Sequence, residues 1–327
     1  MKPEEVVETL YRICLDRSAE PEGLAQWTAL IRSTGDPTLV LKGILESSEY
    51  NARRSRSEIQ TQDFGPYLAS VDRRVRIVDV GAQSLGADTH PYASLLKLVD
   101  AEVIGFDPLV ERLRERAETE SASGLTLLPY ALGDGGKHTF HVNNEDATSS
   151  LFALDEQHNA RFNHLSTLYT VRTEQIITRR MDDVLPDGPV DFLKLDVQGA
   201  ELMVLQAAER TLSQTAVIHC EVEFSPIYRG QPLFPAVYDY LMAQSFVLID
   251  LLIPGRYHYL TPSGRSAQDR LLWADAVFFR ESNEPAILRS QALISAAVYH
   301  KPTLAEHLLH IAGGGIRERD QAPRKET

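Results

Sequence analysis

The chain has 327 residues, of which 43% are hydrophobic and 24% are charged, and its formal net charge is -13. This composition is typical of a globular protein with a sizeable core and excludes an intrinsically disordered chain. The negative balance excludes a general attraction to nucleic acid or anionic lipid, because both are themselves negative. Cys14 and Cys220 are too few for a disulfide framework and too isolated for a cysteine-based zinc cluster.

The amino terminus does not have the pattern of a targeting segment. Residues 1–5 are acidic rather than basic and apolar, so they do not resemble a signal peptide. Elsewhere in the sequence no apolar run approaches the roughly 18 residues that a membrane span needs. We therefore expect a cytoplasmic protein without a membrane span.

Residues 4 to about 50 carry apolar side chains at helical spacing. Two stripes are evident, formed by Val6, Val7, Leu10, Ile13 and Cys14 and by Leu24, Trp27, Leu30 and Ile31. Ser18, Pro21 and Gly23 mark a loop and a helix start between the stripes. A third helix is predicted over 37–47, and a polar, basic linker over 51–57. The pattern predicts a helical module of residues 1–57.

This module resembles a helical domain of unknown function that recurs in bacterial surface-layer and glycan-processing proteins. That domain is similar to phycobilisome linker modules. The resemblance is carried by residues 11–17, 21–24, Trp27 and 45–50, and it covers nearly the whole module. It implies attachment to a partner protein rather than chemistry. The alternative is a packing appendage without a partner of its own.

Two strand-like segments in the middle of the chain have the pattern of a nucleoside site. Residues 77–82 are a buried strand that ends in a glycine turn, and 103–107 are a second strand that ends in Asp107. A glycine lets the backbone approach a ligand closely, and a carboxylate at the next strand end can accept hydrogen bonds from ribose hydroxyls. Gly81 and Gly86 do not complete the glycine triplet of dinucleotide sites. The pattern therefore favours S-adenosylmethionine over NAD.

Apolar strand-like runs alternate with helical segments from about residue 75 to residue 280. This alternation predicts an α/β domain over 58–283, with a mostly parallel sheet that helices cover on both faces. Residues 133–180 depart from the pattern and are expected to form an insertion with substrate contacts. A helical hairpin is predicted over 284–312 and a disordered tail over 313–327.

Charged residues alternate with apolar ones along two of the predicted strands. Lys194 and Asp196 share one face of the strand at 191–197, and His219, Glu221 and Glu223 share one face of the strand at 217–224. If the strands are neighbours, these side chains converge near the carboxyl edge of the sheet, where ligands bind. A buried ion pair between Lys194 and Glu221 that only fixes strand register is the structural alternative.

The same side chains raise the question of a metal. Imidazole and carboxylate groups such as those of His219 and Glu221 suit magnesium or manganese. Their spacing in the sequence specifies no coordination geometry. We therefore assign no metal site from the sequence.

Four motifs occur in order, at 78–82, 104–108, 130–134 and 192–201. Together they resemble the FkbM family of S-adenosylmethionine-dependent methyltransferases over roughly residues 70–280. The most discriminating motif is Lys-x-Asp-x-x-Gly-x-Glu, which begins at Lys194. The resemblance implies a Rossmann-like, seven-stranded class I methyltransferase sheet with an antiparallel last strand. It also implies methyl transfer to a hydroxyl group.

The resemblance also implies a cofactor site. Asp79, Gly81 and Ala82 would border the methionine part of the cofactor, Asp107 would bind ribose, and Ala131 and Leu132 would line the adenine pocket. The complete set of implied cofactor-binding residues is Asp79, Gly81, Ala82, Gln83, Gly86, Asp107, Ala131, Leu132 and Asp196. The turn is one residue longer than in most family members and has Gln83 in place of asparagine, so the contacts of Gln83 and Gly86 stay open.

Methyl transfer to a hydroxyl needs an aligned acceptor and a group that takes its proton. Asp196 and His219 are the candidate bases, Glu221 could orient His219, and Lys194 completes the candidate catalytic set. Hydroxyl, amide and aromatic side chains at 148–150 and 228–231 suit a sugar ring. We expect a hydroxylated small molecule or a glycan as acceptor.

Other functions and partners remain open from the sequence. The alternatives to a methyltransferase are a NAD-dependent sugar-modifying oxidoreductase and a catalytically silent adaptor that acts through the helical module. The chain could also form a homo-oligomer, and the helical module could bind another protein. The sequence does not choose among acceptor molecules.

Overall fold

A computed structural model of the chain describes residues 2–15, 17–45, 47, 64–83, 90–120 and 124–314. The chain divides into two compact units, Met1–Phe64 and Gly65–Thr327. The predicted linker at 51–57 lies outside the described residues, as does the predicted tail beyond residue 314. Within the described parts of the chain, no helix is long and apolar enough to cross a membrane.

The first unit contains the three helices that the sequence predicts, Pro3–Leu15, Pro21–Thr34 and Thr38–Leu45. Pro21 begins the second helix, where its missing N–H has no cost because the first N–H groups of a helix have no partner within it. Gly35 ends this helix in the left-handed conformation, with φ of 69°. The buried core of the unit consists of Val7, Tyr11, Leu15, Ile31, Val40 and Ile44. The indole of Trp27 packs against this core and donates a hydrogen bond to the Tyr11 hydroxyl at 3.1 Å.

The second unit is built on a seven-stranded sheet with the strand order β3-β2-β1-β6-β7-β9-β8. Its strands are β1 (Val75–Val80), β2 (Ala101–Phe106), β3 (Leu125–Leu128), β6 (Val190–Leu195), β7 (Thr215–Glu223), β8 (Phe246–Tyr257) and β9 (Arg270–Arg280). Neighbouring strands from β3 to β7 are parallel, whereas β9 runs antiparallel to both β7 and β8. The predicted α/β class and the antiparallel closing strand are confirmed.

Helices connect and cover these strands. Their bounds are Gly65–Leu68, Ala93–Leu96, Val110–Thr119, Glu156–Asn159, Met181–Val184, Glu201–Gln206, Glu209–Ser213, Phe234–Ala243, Pro285–Ala297 and Pro302–Ala312. All six residues of β6 are buried, as expected for a central strand of a sheet covered on both faces. The two C-terminal helices belong to the same compact unit as the sheet. Gln291 anchors the first of them by donating to the carbonyls of Ala216 and Arg280 at 3.0 and 2.8 Å.

The strand order reverses between β1 and β6, because the chain moves outward from β1 to β3 and then returns to the other side of β1. Ligands bind at such a reversal, beyond the carboxyl ends of the strands. Asp79 on β1, Lys194 on β6 and His219 on β7 are aligned across the sheet. The adjacency of β6 and β7, on which convergence of the charged side chains depends, is therefore confirmed.

The insertion between β3 and β6 contains a separate two-stranded antiparallel sheet. Its strands are β4 (Lys137–Asn143) and β5 (Thr170–Ile177). The 3-10 turns Asp146–Thr148 and Leu165–Thr167 lie between them. Ser150 connects the insertion to the end of β6, because its hydroxyl donates to the Gln198 carbonyl at 2.6 Å.

Candidate active site

A cavity of about 740 Å³, open to solvent, lies at the carboxyl ends of β1, β2 and β6. Four groups of residues line it: the turn after β1, the end of β2, the segment after β3 and the turn after β6. The insertion adds Phe140, Ala147, Ser149 and Leu151. Of the sequence-predicted cofactor residues, Gly81, Gln83, Asp107, Ala131, Leu132 and Asp196 line this cavity.

Gly81 forms the turn after β1 in a conformation that requires glycine. Its φ is 79°, and a Cβ at this position would lie 1.8 Å from the carbonyl oxygen of Asp196. The amides of Gly81 and Ala82 both donate to the Phe106 carbonyl, at 2.9 and 3.0 Å. These amides therefore join β1 to β2, and the role of the glycine is a close approach between two strand ends.

Asp107 follows β2 and is 2% exposed. One oxygen, Oδ1, accepts a hydrogen bond from the Leu109 amide at 2.7 Å. Burial raises the pKa of Asp107 to about 6, although the Leu109 amide, the Gln83 side chain and Lys194 lower it. An ionised carboxylate has two oxygens with several lone pairs, so Asp107 retains capacity to accept from the hydroxyls of a bound ribose.

Four further predicted cofactor residues have distinct positions. Ala131 and Leu132 line the cavity after β3, as an adenine wall requires. Ala82 is fully buried and is not among the lining residues. Gly86 lies outside the described residues.

Asp79 lies beneath the cavity and does not line it. The side chain is fully buried, and Oδ2 accepts from the Tyr92 hydroxyl at 2.5 Å and from Arg116 Nη1 at 2.8 Å. Burial raises the pKa of Asp79, but Lys194 and Arg116 outweigh it and hold the pKa below its ordinary value. Asp79 therefore anchors a buried ionic network under the turn.

Lys194 connects this network to the cavity. Its Nζ donates to the Gly81 carbonyl at 2.9 Å and lies 3.4 Å from both Asp79 Oδ1 and Asp196 Oδ2. Burial lowers the pKa of Lys194, but the two carboxylates outweigh it and raise the pKa above its ordinary value. The ion pair of Lys194 is thus with Asp79 and Asp196, whereas the sequence alternative placed it with Glu221.

Asp196 lies at the cavity wall, and its side chain is 37% exposed. Its neighbour Gln198 adopts a φ of 57°, which is uncommon for a residue other than glycine. Gln198 Nε2 donates to Asp196 Oδ1 at 2.9 Å and to Glu221 Oε2 at 2.7 Å. The Tyr228 hydroxyl donates to Gln198 Oε1 at 2.8 Å. Gln198 therefore joins two carboxylates that the sequence singled out.

His219 is 4% exposed and lines neither this cavity nor the smaller one beside Glu221. Its ring stacks on the Tyr299 ring at 6.2 Å between centroids, and on the Phe192 ring at 6.0 Å. The nearest carboxylate to Nε2 is that of Asp275, at 3.5 Å. The structure thus brings Lys194, Asp196 and Glu221 together but leaves His219 in an aromatic cluster, without the expected contact to Glu221.

Three glutamates form a compact group beside Gln198. Carboxylate oxygens of Glu201, Glu221 and Glu223 lie within 4.8 Å of one another. Oxygen ligands of this kind suit magnesium, although Glu201 Oε1 already accepts from the amides of Val197 and Gly199 at 2.8 and 3.2 Å. Burial, together with the neighbouring carboxylates, raises the pKa of Glu221 and Glu223 well above the ordinary glutamate value.

This group makes the stability of the folded state depend on pH. Burial raises the pKa of Glu201 to about 7, against the hydrogen bonds from the Val197 and Gly199 amides. Between pH 4.5 and 7 the folded protein holds a proton that the unfolded chain releases, so its stability falls as pH rises through this window. In Glu201→Gln the amide oxygen can still accept from both amides, and the titration is lost.

As pH rises from 4.5 to 8, we expect the free energy of unfolding of Glu201→Gln to fall by roughly 2–3 kcal/mol less than that of the wild type. Urea denaturation at both pH values measures this difference. Glu209→Gln, an exposed glutamate in the next helix, is the matched control and should follow the wild type. The same pH dependence in both variants would show that Glu201 does not titrate in this range.

Arg116 and Tyr92 are structural residues of the site that the sequence analysis did not identify. Arg116 is fully buried, and Nη2 donates to the Tyr92 hydroxyl at 2.7 Å. A signal was present, because residue 116 lies about one turn after the buried Leu113 on the same face of the helix, where an apolar residue is expected. An arginine on a buried stripe indicates a buried carboxylate partner.

Protein-family models match parts of both units. The family model described as "Methyltransferase FkbM domain" matches residues 79–248. Residues 2–54 match a domain of unknown function, DUF4214. The matches correspond to the two resemblances seen in the sequence; the further likeness of the helical module to phycobilisome linkers remains an expectation.

Similar proteins include a 2-O-methyltransferase, NoeI, from Sinorhizobium fredii (strain NBRC 101917 / NGR234). It is 30% identical over 183 residues, which are 53% of this chain and 72% of NoeI. Among solved structures, magnesium protoporphyrin IX methyltransferase (ChlM) from Synechocystis PCC 6803 with bound SAM aligns over 86% of this chain and 98% of its own, at 10% identity and a TM-score of 0.33. A precorrin-6y C5,15-methyltransferase from Geobacter metallireducens GS-15 aligns over 65% of this chain and 86% of its own chain, at 13% identity and a TM-score of 0.32.

The family model covers more than half of the chain, and its match begins at Asp79 and extends past the glutamates of β7 into β8. The cavity lies at the strand reversal, beside the glycine turn that a nucleoside cofactor requires. The chain therefore belongs to the FkbM family of methyltransferases, enzymes that use S-adenosylmethionine as methyl donor.

Proposed function

We propose that this protein transfers the methyl group of S-adenosylmethionine to a hydroxyl group of a saccharide or a related hydroxylated metabolite. The observation that carries the proposal is the 740 Å³ cavity between the ends of β1, β2 and β6, with Asp107 and Asp196 in its wall. The similarity to NoeI, a 2-O-methyltransferase, supports oxygen as the methylated atom.

The lining residues fit this cofactor. Asp107 would accept from the ribose hydroxyls, and Ala131 and Leu132 would pack on the adenine. Asp196 lines the cavity, and its carboxylate favours a sulfonium cation. When bound, the cofactor supplies an electrophilic methyl group, and the residues of the chain align the acceptor and remove its proton.

The nature of the cofactor is tested by ligand-dependent thermal stability. We expect S-adenosylhomocysteine to raise the melting temperature, because a ligand that binds the native state stabilises it, and NAD to leave it unchanged. Stabilisation by NAD but not by S-adenosylhomocysteine would overturn the proposal in favour of an oxidoreductase. Binding of neither ligand would favour a catalytically silent adaptor.

Asp107→Ala is expected to weaken S-adenosylhomocysteine binding about 10- to 100-fold, because hydrogen bonds to a charged group contribute about 1.5–3 kcal/mol. In the wild type, affinity should also rise as pH increases through the Asp107 pKa of about 6, since the ionised form accepts from both hydroxyls. This pH dependence should disappear in the variant. Isothermal titration calorimetry between pH 5 and pH 8 measures both effects.

Asp196→Asn is the matched comparison for Asp107→Ala. The asparagine retains the size of the side chain, and S-adenosylhomocysteine has no sulfonium charge, so we expect its affinity to stay within about threefold of the wild type while turnover falls. Equal losses of affinity in both variants would reassign Asp196 to a structural role.

A further inference from the structure

A second cavity, of about 350 Å³, lies beside the cofactor cavity. Its lining includes two carboxylates, those of Glu221 and Glu223, and four aromatic rings, those of His164, Tyr228, Tyr257 and Trp273. Among the described residues, Gln198 is the one residue that lines both cavities. The two cavities are therefore neighbours with a single shared wall residue.

The side chain of Gln198 is held in place between the cavities. Its amide nitrogen bridges Asp196 on the cofactor side and Glu221 on the other side, and its amide oxygen accepts from Tyr228. The left-handed backbone of Gln198 costs about 1–3 kcal/mol, and such conformations cluster at functional sites. The hydroxyl of the fully buried Tyr228 also lies 2.8 Å from the Thr148 carbonyl oxygen, so the two acceptors share its single proton. Gln198 thus brings Glu221 to the boundary between the two cavities.

The lining of the second cavity selects for an uncharged, polyhydroxylated ring. Aromatic rings offer apolar faces that pack on the C–H face of a sugar, and carboxylates accept hydrogen bonds from its hydroxyls. No lysine or arginine is among the described lining residues. An anionic group would therefore meet two glutamates without a compensating cation.

Trp273 owes its position to a glycine on the neighbouring strand. Gly255 on β8 is paired with Trp273 on β9, and a Cβ on Gly255 would lie 2.2 Å from the indole Cε2 atom. The absence of a side chain at 255 lets the indole lie against β8. Gly255 is therefore a positioning residue for the aromatic wall.

We propose that the second cavity binds the sugar ring of the acceptor and that Glu221 takes the proton of the hydroxyl being methylated. This inference rests on the methyltransferase function proposed above. The acceptor oxygen forms a bond to the methyl carbon while the carbon–sulfur bond breaks and its electron pair stays on sulfur. The hydroxyl proton passes to the Glu221 carboxylate.

Acidic and phenolic side chains surround Glu221. The groups that face it are Asp196, Glu223, Glu201, Asp275, Tyr228 and Tyr257. Burial and the neighbouring carboxylates raise the pKa of Glu221 well above that of an ordinary glutamate. A raised pKa makes the carboxylate a stronger proton acceptor.

Binding to the second cavity can be measured without turnover. Trp27 and Trp273 are the two tryptophans of the chain, so a Trp27→Phe background leaves Trp273 as the single indole reporter. In the presence of S-adenosylhomocysteine, we expect methyl glucopyranoside, galactopyranoside or mannopyranoside to change Trp273 emission saturably, and glucuronate to leave it unchanged. No response to any glycoside, or a response to an alkylamine instead, would overturn the sugar assignment.

Glu221→Gln tests whether Glu221 is the proton acceptor. The substrate in this test is the glycoside that the wild type methylates fastest. We expect kcat to fall about 100- to 10,000-fold, while S-adenosylhomocysteine affinity and the Trp273 response are retained. Glu209→Gln, which changes an exposed glutamate that lines neither cavity, is the control and should stay within threefold. Gly255→Ala should raise KM at nearly unchanged kcat.

Two results would overturn the assignment of Glu221 and leave the proposed function standing. One is a Glu221→Gln variant with more than a tenth of the wild-type kcat. The other is wild-type activity that EDTA abolishes and Mg²⁺ restores, which would assign deprotonation to a cation held by the glutamate group. Failure of the proposed function is different, because no acceptor would then be methylated and S-adenosylhomocysteine would not bind.

Discussion

Arg116→Met is expected to lower the free energy of unfolding by about 3–5 kcal/mol, the usual cost of removing one partner of a buried ion pair. Arg116 and Asp79 are both fully buried, and their side chains are 2.8 Å apart. Methionine preserves much of the volume but removes the charge and the hydrogen bonds to Asp79, Ala82 and Tyr92. Asp79 would then depend on Tyr92 and on Lys194 at 3.4 Å.

Urea denaturation followed by Trp273 emission measures this effect in the unit that contains the sheet. Arg112→Met is the matched control, since Arg112 lies one turn earlier in the same helix and its ion pairs with Glu115 and Asp146 are partly exposed. Exposed pairs contribute about 0–1 kcal/mol, so the control should change little. Equal destabilisation by both variants would contradict the role assigned to the buried network.

Gly81→Ala is expected to destabilise the fold by at least about 3 kcal/mol and to weaken S-adenosylhomocysteine binding at least tenfold. A positive φ costs a non-glycine residue about 1–3 kcal/mol, and overpacking costs a similar amount. Both apply here, because φ is 79° and the new Cβ would lie 1.8 Å from a backbone carbonyl, which cannot rotate away. The turn and the end of β6 would have to separate at the cavity wall.

Gly264→Ala separates the two costs. Gly264 has a φ of 65°, and a Cβ there would meet no atom within 4 Å, so this variant carries the backbone cost alone. In urea denaturation, Gly264→Ala should be much more stable than Gly81→Ala. In calorimetric titration, it should bind S-adenosylhomocysteine with the same affinity as the wild type. If the two variants are equally stable, the contact between Gly81 and Asp196 does not constrain the turn.

The sheet and the position of the site could be predicted from sequence because their signals are local. Strands β1, β2, β6 and β7 are rich in apolar residues and end at glycines or carboxylates, and parallel strands align these ends at one edge. Asp107, Ala131 and Leu132 therefore fall in the wall of one cavity. The strands β4 and β5 could not be recognised, since Val171 and Ile177 are exposed and β5 has no buried face.

The roles of individual charged residues were less predictable, because they depend on tertiary contacts. The strand pattern placed Lys194, Asp196, His219 and Glu221 on one face, but it could not assign the ion pairs among them. Tyr299, which follows a distant helix, stacks on His219 and covers it. The partnership between Gln198 and Glu221 arises from a left-handed turn that no residue pattern encodes.

The three-way contact of Lys194 has a thermodynamic consequence for ligand association. Its ammonium group ties the Gly81 carbonyl to two carboxylates, and the Asp196 amide donates to the Val80 carbonyl at 3.1 Å. The floor of the cofactor cavity is thus rigid before any ligand arrives. Little conformational entropy is lost there on association, so most of the contact free energy is available as affinity.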